Sequence, residues 1–238
     1  MAGGVLAALA SMGFDAGHLL AASVINAPGG LLLAKVLQPE VDTPKTLGTV
    51  RLDVKDESAN VLESIANGAV GGLQLALNVG AMLIVFLALI AVLNIAIGWS
   101  GSVLGYVAED GTRLWSLEAA LGKLFYPVAW LLGIESADRA AAAELMGLKM
   151  ATNEFVAYGR MLEWAKPDSP IQITDRSRDI LTYALCGFAN FSSIGIQLGG
   201  IGGMAPERRS DLARLGLRAM IGGTLASFMT ACFAGLLL

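Results

Sequence analysis

The stretch LQLALNVGAMLIVFLALIAVLNIAIG, Leu73 to Gly98, decides the class of fold. It carries no charged side chain, and no Asp, Glu, Lys or Arg occurs anywhere between Glu63 and Glu109. As a helix rising about 1.5 Å per residue it would reach about 39 Å. A bilayer's hydrocarbon core is about 30 Å thick, so the stretch predicts a membrane-crossing helix that tilts or protrudes. The rest of the chain agrees: 55% of the 238 residues are hydrophobic and 15% are charged, with a mean hydropathy of +0.64. Soluble domains carry roughly a quarter charged residues. A second charge-free run lies between Asp179 and Glu207. The sequence therefore reads as an all-α, polytopic integral membrane protein.

Three regions follow from the alternation of apolar and polar segments. Residues 1–60 hold an apolar, Gly- and Ala-rich start over Met1 to Gly13, a membrane segment from Leu19 to Leu37, and a polar loop from Gln38 to Asn60. The first of these begins abruptly and lacks the basic n-region of a signal peptide, so continuation upstream of Met1 is expected. Pro28 removes a backbone donor near the middle of the second, which predicts a kinked or broken helix. Residues 61–116 combine an interfacial amphipathic helix, Val61 to Leu77, with the scaffold helix Leu73 to Gly98. Residues 117–238 hold an interfacial helix over Leu117 to Ile134 and a re-entrant hairpin over Arg139 to Trp164. Two last membrane segments follow, Ile180 to Met204 and Leu215 to Leu238. The loop between these two carries Arg208, Arg209, Arg214 and Arg218, which places it in the cytoplasm and the C-terminus outside.

Several functions are excluded by what the chain lacks. A net charge of -4 offers no basic surface for nucleic acid. His18 is the only histidine, so neither a His-rich metal site nor a His-activated nucleophile is available. Cys186 and Cys232 lie inside apolar runs, where a thiol behaves as a small hydrophobe. The string Gly200-Ile201-Gly202-Gly203 has no strand before it and is no phosphate loop. An intramembrane enzyme using Glu154 as a base is disfavoured, because no metal ligand or partnered nucleophile accompanies it. No catalytic residue, metal or cofactor is assigned.

Polar residues inside apolar segments carry the remaining signal. A carboxylate at membrane depth costs several kcal/mol, roughly 2.5 to 3.5 on insertion scales, unless it faces a cavity or partner. Glu154 is such a carboxylate if Arg139 to Trp164 enters the membrane; if that segment is a surface helix, Glu154 is simply solvated. Asn190 and Ser193 stand three residues apart, so a helix would present both on one face while Ser192 turns elsewhere. They suit either interhelical hydrogen bonding or a sugar-binding triad with Glu154. Phe188 would offer a ring to a planar solute, or pack in the core. Gly195, Gly199 and Gly203 recur every four residues and predict close helix contact.

Four motifs carry a family resemblance: Ser23 to Gly30 with Lys35 and Pro39-Glu40; Lys149 with Asn153 to Tyr158; Cys186 to Gly195; and Ala205-Pro206 with Arg208, Arg209 and Asp211. In these the chain, from about Ala2 onward, resembles the concentrative nucleoside transporters, bacterial nucleoside:cation symporters. The resemblance implies nucleoside uptake coupled to sodium or protons. It also implies a homotrimer in the bacterial inner membrane with an elevator-like moving domain. It places Glu154, Asn190 and Ser193 on the ribose and Phe188 near the bound nucleoside. Val5 falls on a position lining the base pocket. The first re-entrant hairpin of the family, with its Gln-Thr-Glu tip, has no counterpart here. The alternative is therefore a truncated, non-transporting membrane fragment or accessory subunit.

Overall fold

The computed structural model describes residue 1 and residues 3–41, 58–106 and 115–238. Ala2 and most of the expected polar loop from Gln38 to Asn60 lie outside the described residues. Nine α-helices follow one another among those described: α1 (Gly3–Ser11), α2 (Ala16–Leu37), α3 (Val61–Val103), α4 (Leu117–Leu131), α5 (Arg139–Ala151), α6 (Glu154–Trp164), α7 (Asp175–Leu185), α8 (Phe191–Met204) and α9 (Arg209–Leu237). A short 3₁₀ turn, Pro206–Arg208, joins the last two. Among the described residues three helices are long and apolar enough to cross a membrane: α2, α3, and α9 taken with the turn before it.

Local chemistry explains most boundaries. Asp15, Asn60, Ser116, Asn153, Thr174 and Asn190 each cap a helix by accepting a main-chain N–H with the side-chain oxygen. The turn between α1 and α2 needs Gly13, whose φ of 102° is unfavourable for any residue with a Cβ. Pro28 does not break α2, which runs through it to Leu37. The cost is one missing backbone hydrogen bond, which a long helix with packed neighbours tolerates.

The separate interfacial and scaffold helices expected over residues 61–98 are one helix. Its 43 residues span about 64 Å. Glu63, Asn67 and Gln74 look like an interfacial boundary, but no proline or capping residue interrupts the backbone there. α3 stands largely apart from the other helices: only Ile90, Gly98 and Gly101 are buried along it. Its main partner is α8, whose glycines form the contact as their spacing predicts. A Cβ on Gly195 would run into the Phe86 ring, and one on Gly199 would come within 3.0 Å of Met82 and 3.1 Å of the Asn78 carbonyl.

α4 lies along α5, which it rejoins after residues 132–138. A Cβ on Gly147 would stand 2.5 Å from the Gly122 nitrogen and 2.7 Å from the Glu118 carbonyl, so the two backbones touch. Arg139 to Trp164 forms two helices interrupted at Thr152 and Asn153. Ile180 to Met204 is split by Cys186 to Asn190 into α7 and α8, as the resemblance, which puts Asn190 and Ser193 on a broken helix, implies. α8, at 14 residues and about 21 Å, is too short to cross a bilayer alone. The buried apolar cluster joins α5, α6, α7 and α9, with Tyr158, Leu145, Met161 and Leu181 among its fully enclosed side chains.

Candidate functional site

Two helix interruptions meet at the centre of this packing. A helix end leaves carbonyls without intrahelical partners, and water cannot rescue them in an apolar interior. The end of α7 is satisfied from four other helices. Tyr158 donates its hydroxyl to the Thr182 carbonyl at 2.7 Å. Lys149, buried on α5, donates Nζ to the Ala184 carbonyl at 3.1 Å. Its cation thus sits at the negative end of the α7 dipole. Asn26 on α2 donates Nδ2 to the Cys186 carbonyl at 3.0 Å, and Ser227 on α9 reaches the same oxygen at 3.3 Å. Thr230 holds the Asn26 amide by donating to its Oδ1 at 2.8 Å. Gly187 is required beside them, because its Cβ would lie 2.6 Å from Ser227 Oγ.

The starts of α6 and α8 face each other across these interruptions. Asn153 caps α6 through the Val156 N–H at 3.0 Å, and Asn190 caps α8 through the Ser193 N–H at 2.9 Å. Asn190 Nδ2 then donates to Glu154 Oε2 at 3.1 Å, and both side chains are almost wholly enclosed, at 1% and 2% exposure. Ser193 Oγ lies 2.8 Å from Asn190 Oδ1. Glu154, Asn190 and Ser193, far apart in sequence, are therefore one contiguous set. Asn190 joins it as a cap rather than from the face of a helix. Ser192 does not turn elsewhere: its Oγ lies 2.7 Å from Asn190 Oδ1 and 3.1 Å from the Thr152 carbonyl, within donating distance of either interruption.

The arrangement can do one kind of chemistry well. A buried carboxylate, an amide with a second N–H, and a hydroxyl converge where two helix N-termini carry partial positive charge, which suits vicinal hydroxyls of a neutral polar solute. Beside the set runs a cavity of about 410 Å³ between α8 and α9. Ser193, Phe188, Asn26 and Ser227 line it, and Phe188 is 41% exposed. Glu154 and Asn190 do not line it, so Ser193 is the member that links the buried pair to open space. A larger cavity of about 690 Å³ lies between α4 and α5 and touches none of these residues. Val5 is half-buried on α1, packs against the apolar cluster and does not line the cavity. Among the described residues no group of three or more His, Cys, Asp or Glu could hold a metal ion.

The profile of the family described as Na+ dependent nucleoside transporter C-terminus matches residues 18–235. The chain belongs to the concentrative nucleoside transporter family. An uncharacterized transporter of Haemophilus influenzae is 47% identical over 237 residues, covering 99% of this chain and 55% of that protein. The nucleoside permease NupC of Helicobacter pylori is 41% identical over 236 residues, covering 99% and 54%. Human solute carrier family 28 member 3 is 41% identical over 248 residues, covering 100% and 35%. Among solved structures, a double variant of CNTnw in an outward-facing state superposes with a TM-score of 0.82 at 43% identity, over 100% of this chain and 55% of that one. CNTnw in an inward-facing, substrate-bound state gives 0.75 at 41% identity, over 99% and 54%. The chain thus spans about half the length of its bacterial relatives. The family is one of transporters rather than enzymes.

Sequence reasoning gave no site role to Asn26, Lys149, Ser192, Ser227 or Thr230. Asn26, Lys149 and Ser192 fall in the family motifs, which by themselves assign them no role. Their common signal was legible: each is a polar side chain inside an otherwise apolar segment.

Proposed function

We propose that the chain is the C-terminal part of a membrane carrier that takes up nucleosides by symport with a cation, sodium or proton. In this reading Glu154, Asn190 and Ser193 hold the ribose hydroxyls. The observation that carries it is the enclosed 3.1 Å bond from Asn190 to Glu154 at the meeting of two interrupted helices. A carboxylate held by an amide in an apolar interior is costly for stability alone, and it is poised to accept from sugar hydroxyls. Ser193 presents that pair to the cavity, and the exposed Phe188 ring offers a face to the base. Val5 belongs to the base side of the pocket by resemblance alone.

The same reading puts the protein in the bacterial inner membrane, with Arg139 to Trp164 entering as a re-entrant element. The arginines at 208, 209, 214 and 218 are cytoplasmic by the positive-inside rule. Assembly as a homotrimer is part of it, and the apolar outer side of α3, uncovered by the rest of the described chain, is available to lipid or sister subunits.

Reconstitution tests the reading. The purified chain in liposomes should accumulate tritiated uridine or adenosine only when an inward sodium or proton gradient is imposed. Binding without accumulation under either gradient would leave the non-transporting membrane component as the better account. Absence of nucleoside binding would contradict both the uptake and the site.

A further inference from the structure

Asn190 carries more donors on its carbonyl oxygen than that oxygen can accept at once. The Ser193 N–H lies at 2.9 Å from Oδ1, the Ser193 hydroxyl at 2.8 Å and the Ser192 hydroxyl at 2.7 Å. A carbonyl oxygen offers two lone pairs. The main-chain N–H is fixed by the helix cap, so one lone pair is always taken and the two hydroxyls compete for the other. One hydroxyl is therefore in surplus, and the two are not equivalent. Ser193 borders the cavity, whereas Ser192 does not. Ser192 is 1% exposed, and its single hydroxyl proton has two acceptors to choose from, Asn190 Oδ1 at 2.7 Å and the Thr152 carbonyl at 3.1 Å, of which Asn190 is the nearer.

We propose that Ser192 is a positioning residue for sugar recognition: it holds the Asn190 carbonyl so that the Ser193 hydroxyl is free to turn to the nucleoside. The inference rests on the ribose reading given above. Ser192 touches no ligand in this account; it acts through Asn190. Its donation adds to the Ser193 N–H and the Glu154 carboxylate in holding the amide, since a rotated amide would set its NH2 group against the main-chain N–H and its oxygen against the carboxylate. Without Ser192, Ser193 alone completes the carbonyl's shell, and its hydroxyl stays engaged there rather than with the sugar. Loss of its hydroxyl therefore loosens Asn190 while the other ties of the α7 end, from Lys149, Asn26 and Tyr158, remain in place.

The test compares the affinity of the purified full chain for uridine and adenosine with that for their 2′-deoxy and 3′-deoxy forms. Wild type should bind at least one deoxy form about tenfold more weakly than the parent ribonucleoside. In Ser192→Ala that ratio should fall towards one through loss of ribonucleoside affinity, while the order of preference among bases stays put. Ser192→Thr, which keeps the hydroxyl, should restore the ratio, and Ser192→Gly, which also lacks it, should reproduce the Ala result. General loosening of the site would weaken ribo and deoxy ligands alike. Wild type that does not discriminate at the sugar would overturn the ribose reading itself. Wild-type discrimination that survives unchanged in Ser192→Ala would overturn only the role given to Ser192.

Discussion

α8 is held at its two ends by opposite means. At its start, the interruption after α7 is tied by directional polar bonds from four helices: Lys149 and Tyr158 through α5 and α6, Asn26 through α2, and Ser227 through α9. Further along, α8 lies against α3 through Gly195 and Gly199, with Phe86, Met82 and the Asn78 backbone filling the space that side chains would need. The α4–α5 contact at Gly122 and Gly147 is built the same way. One region is specified by hydrogen-bond partners and the other by shape. A polar junction penalises loss of a partner even when volume is kept; a glycine seam penalises added volume even when polarity is kept.

That contrast can be broken most forcefully at Gly147. Gly147→Leu would drive a side chain into the α4 backbone, where no flexible atom can yield. It should destabilise by more than about 3 kcal/mol, beyond the usual overpacking range of 1–3, and abolish a monodisperse peak in detergent. A folded Gly147→Leu protein would show that α4 and α5 are not in backbone contact. At the polar junction, Asn26→Leu keeps the branched shape with a larger side chain but removes the main donor to the Cys186 carbonyl and the acceptor of Thr230. Denaturant unfolding should show a loss of about 1–3 kcal/mol, and an unchanged midpoint would mean that the interruption is held by packing alone.

The α3–α8 seam permits a sharper test by compensation. Gly195→Ala should cost about 1–2 kcal/mol through the Phe86 ring. Phe86→Ala in the same chain should recover stability relative to either change alone, and additivity of the two would deny the contact. The smallest effect belongs to a polar tie outside the span-length helices. Asp138, before α5, accepts the Thr174 N–H at 3.0 Å and its hydroxyl at 2.8 Å. Burial pushes its carboxyl up, but the hydrogen bonds from Ser177 and Thr174 outweigh that and hold it below the ordinary value of 3.8. Its stabilisation is therefore complete above that value and is lost as pH falls through the lower folded one. Thermal unfolding in acid should fall less steeply for Asp138→Asn than for wild type.

Much of this was legible in the chain, and the physical reason is scale. Charge-free runs such as Leu73 to Gly98 announce a membrane fold because hydrocarbon tolerates little else. Glu154, Asn190 and Ser193 stood out because polar groups are rare there, and the Gly195 and Gly199 spacing foretold a close contact. What stayed hidden depends on long-range pairing. Nothing local to Pro127 or Tyr126 says that α4 will lie on α5. The split at Cys186 to Asn190 is stabilised by Asn26 and Ser227, far away in sequence, so periodicity alone reads Ile180 to Met204 as continuous. The second acceptor within reach of Ser192 is the carbonyl of Thr152, forty residues upstream.

The central claim is that the enclosed carboxylate of Glu154 accepts from the sugar of a bound nucleoside. Equilibrium binding of tritiated uridine and adenosine to wild type and Glu154→Gln measures it most directly. Glutamine keeps size and can still accept from Asn190, so the fold should persist by thermal unfolding. Loss of a charge-assisted bond, roughly 1.5–3 kcal/mol, should weaken affinity by about 10- to 150-fold. A folded Glu154→Gln protein that binds both nucleosides as tightly as wild type would contradict the site.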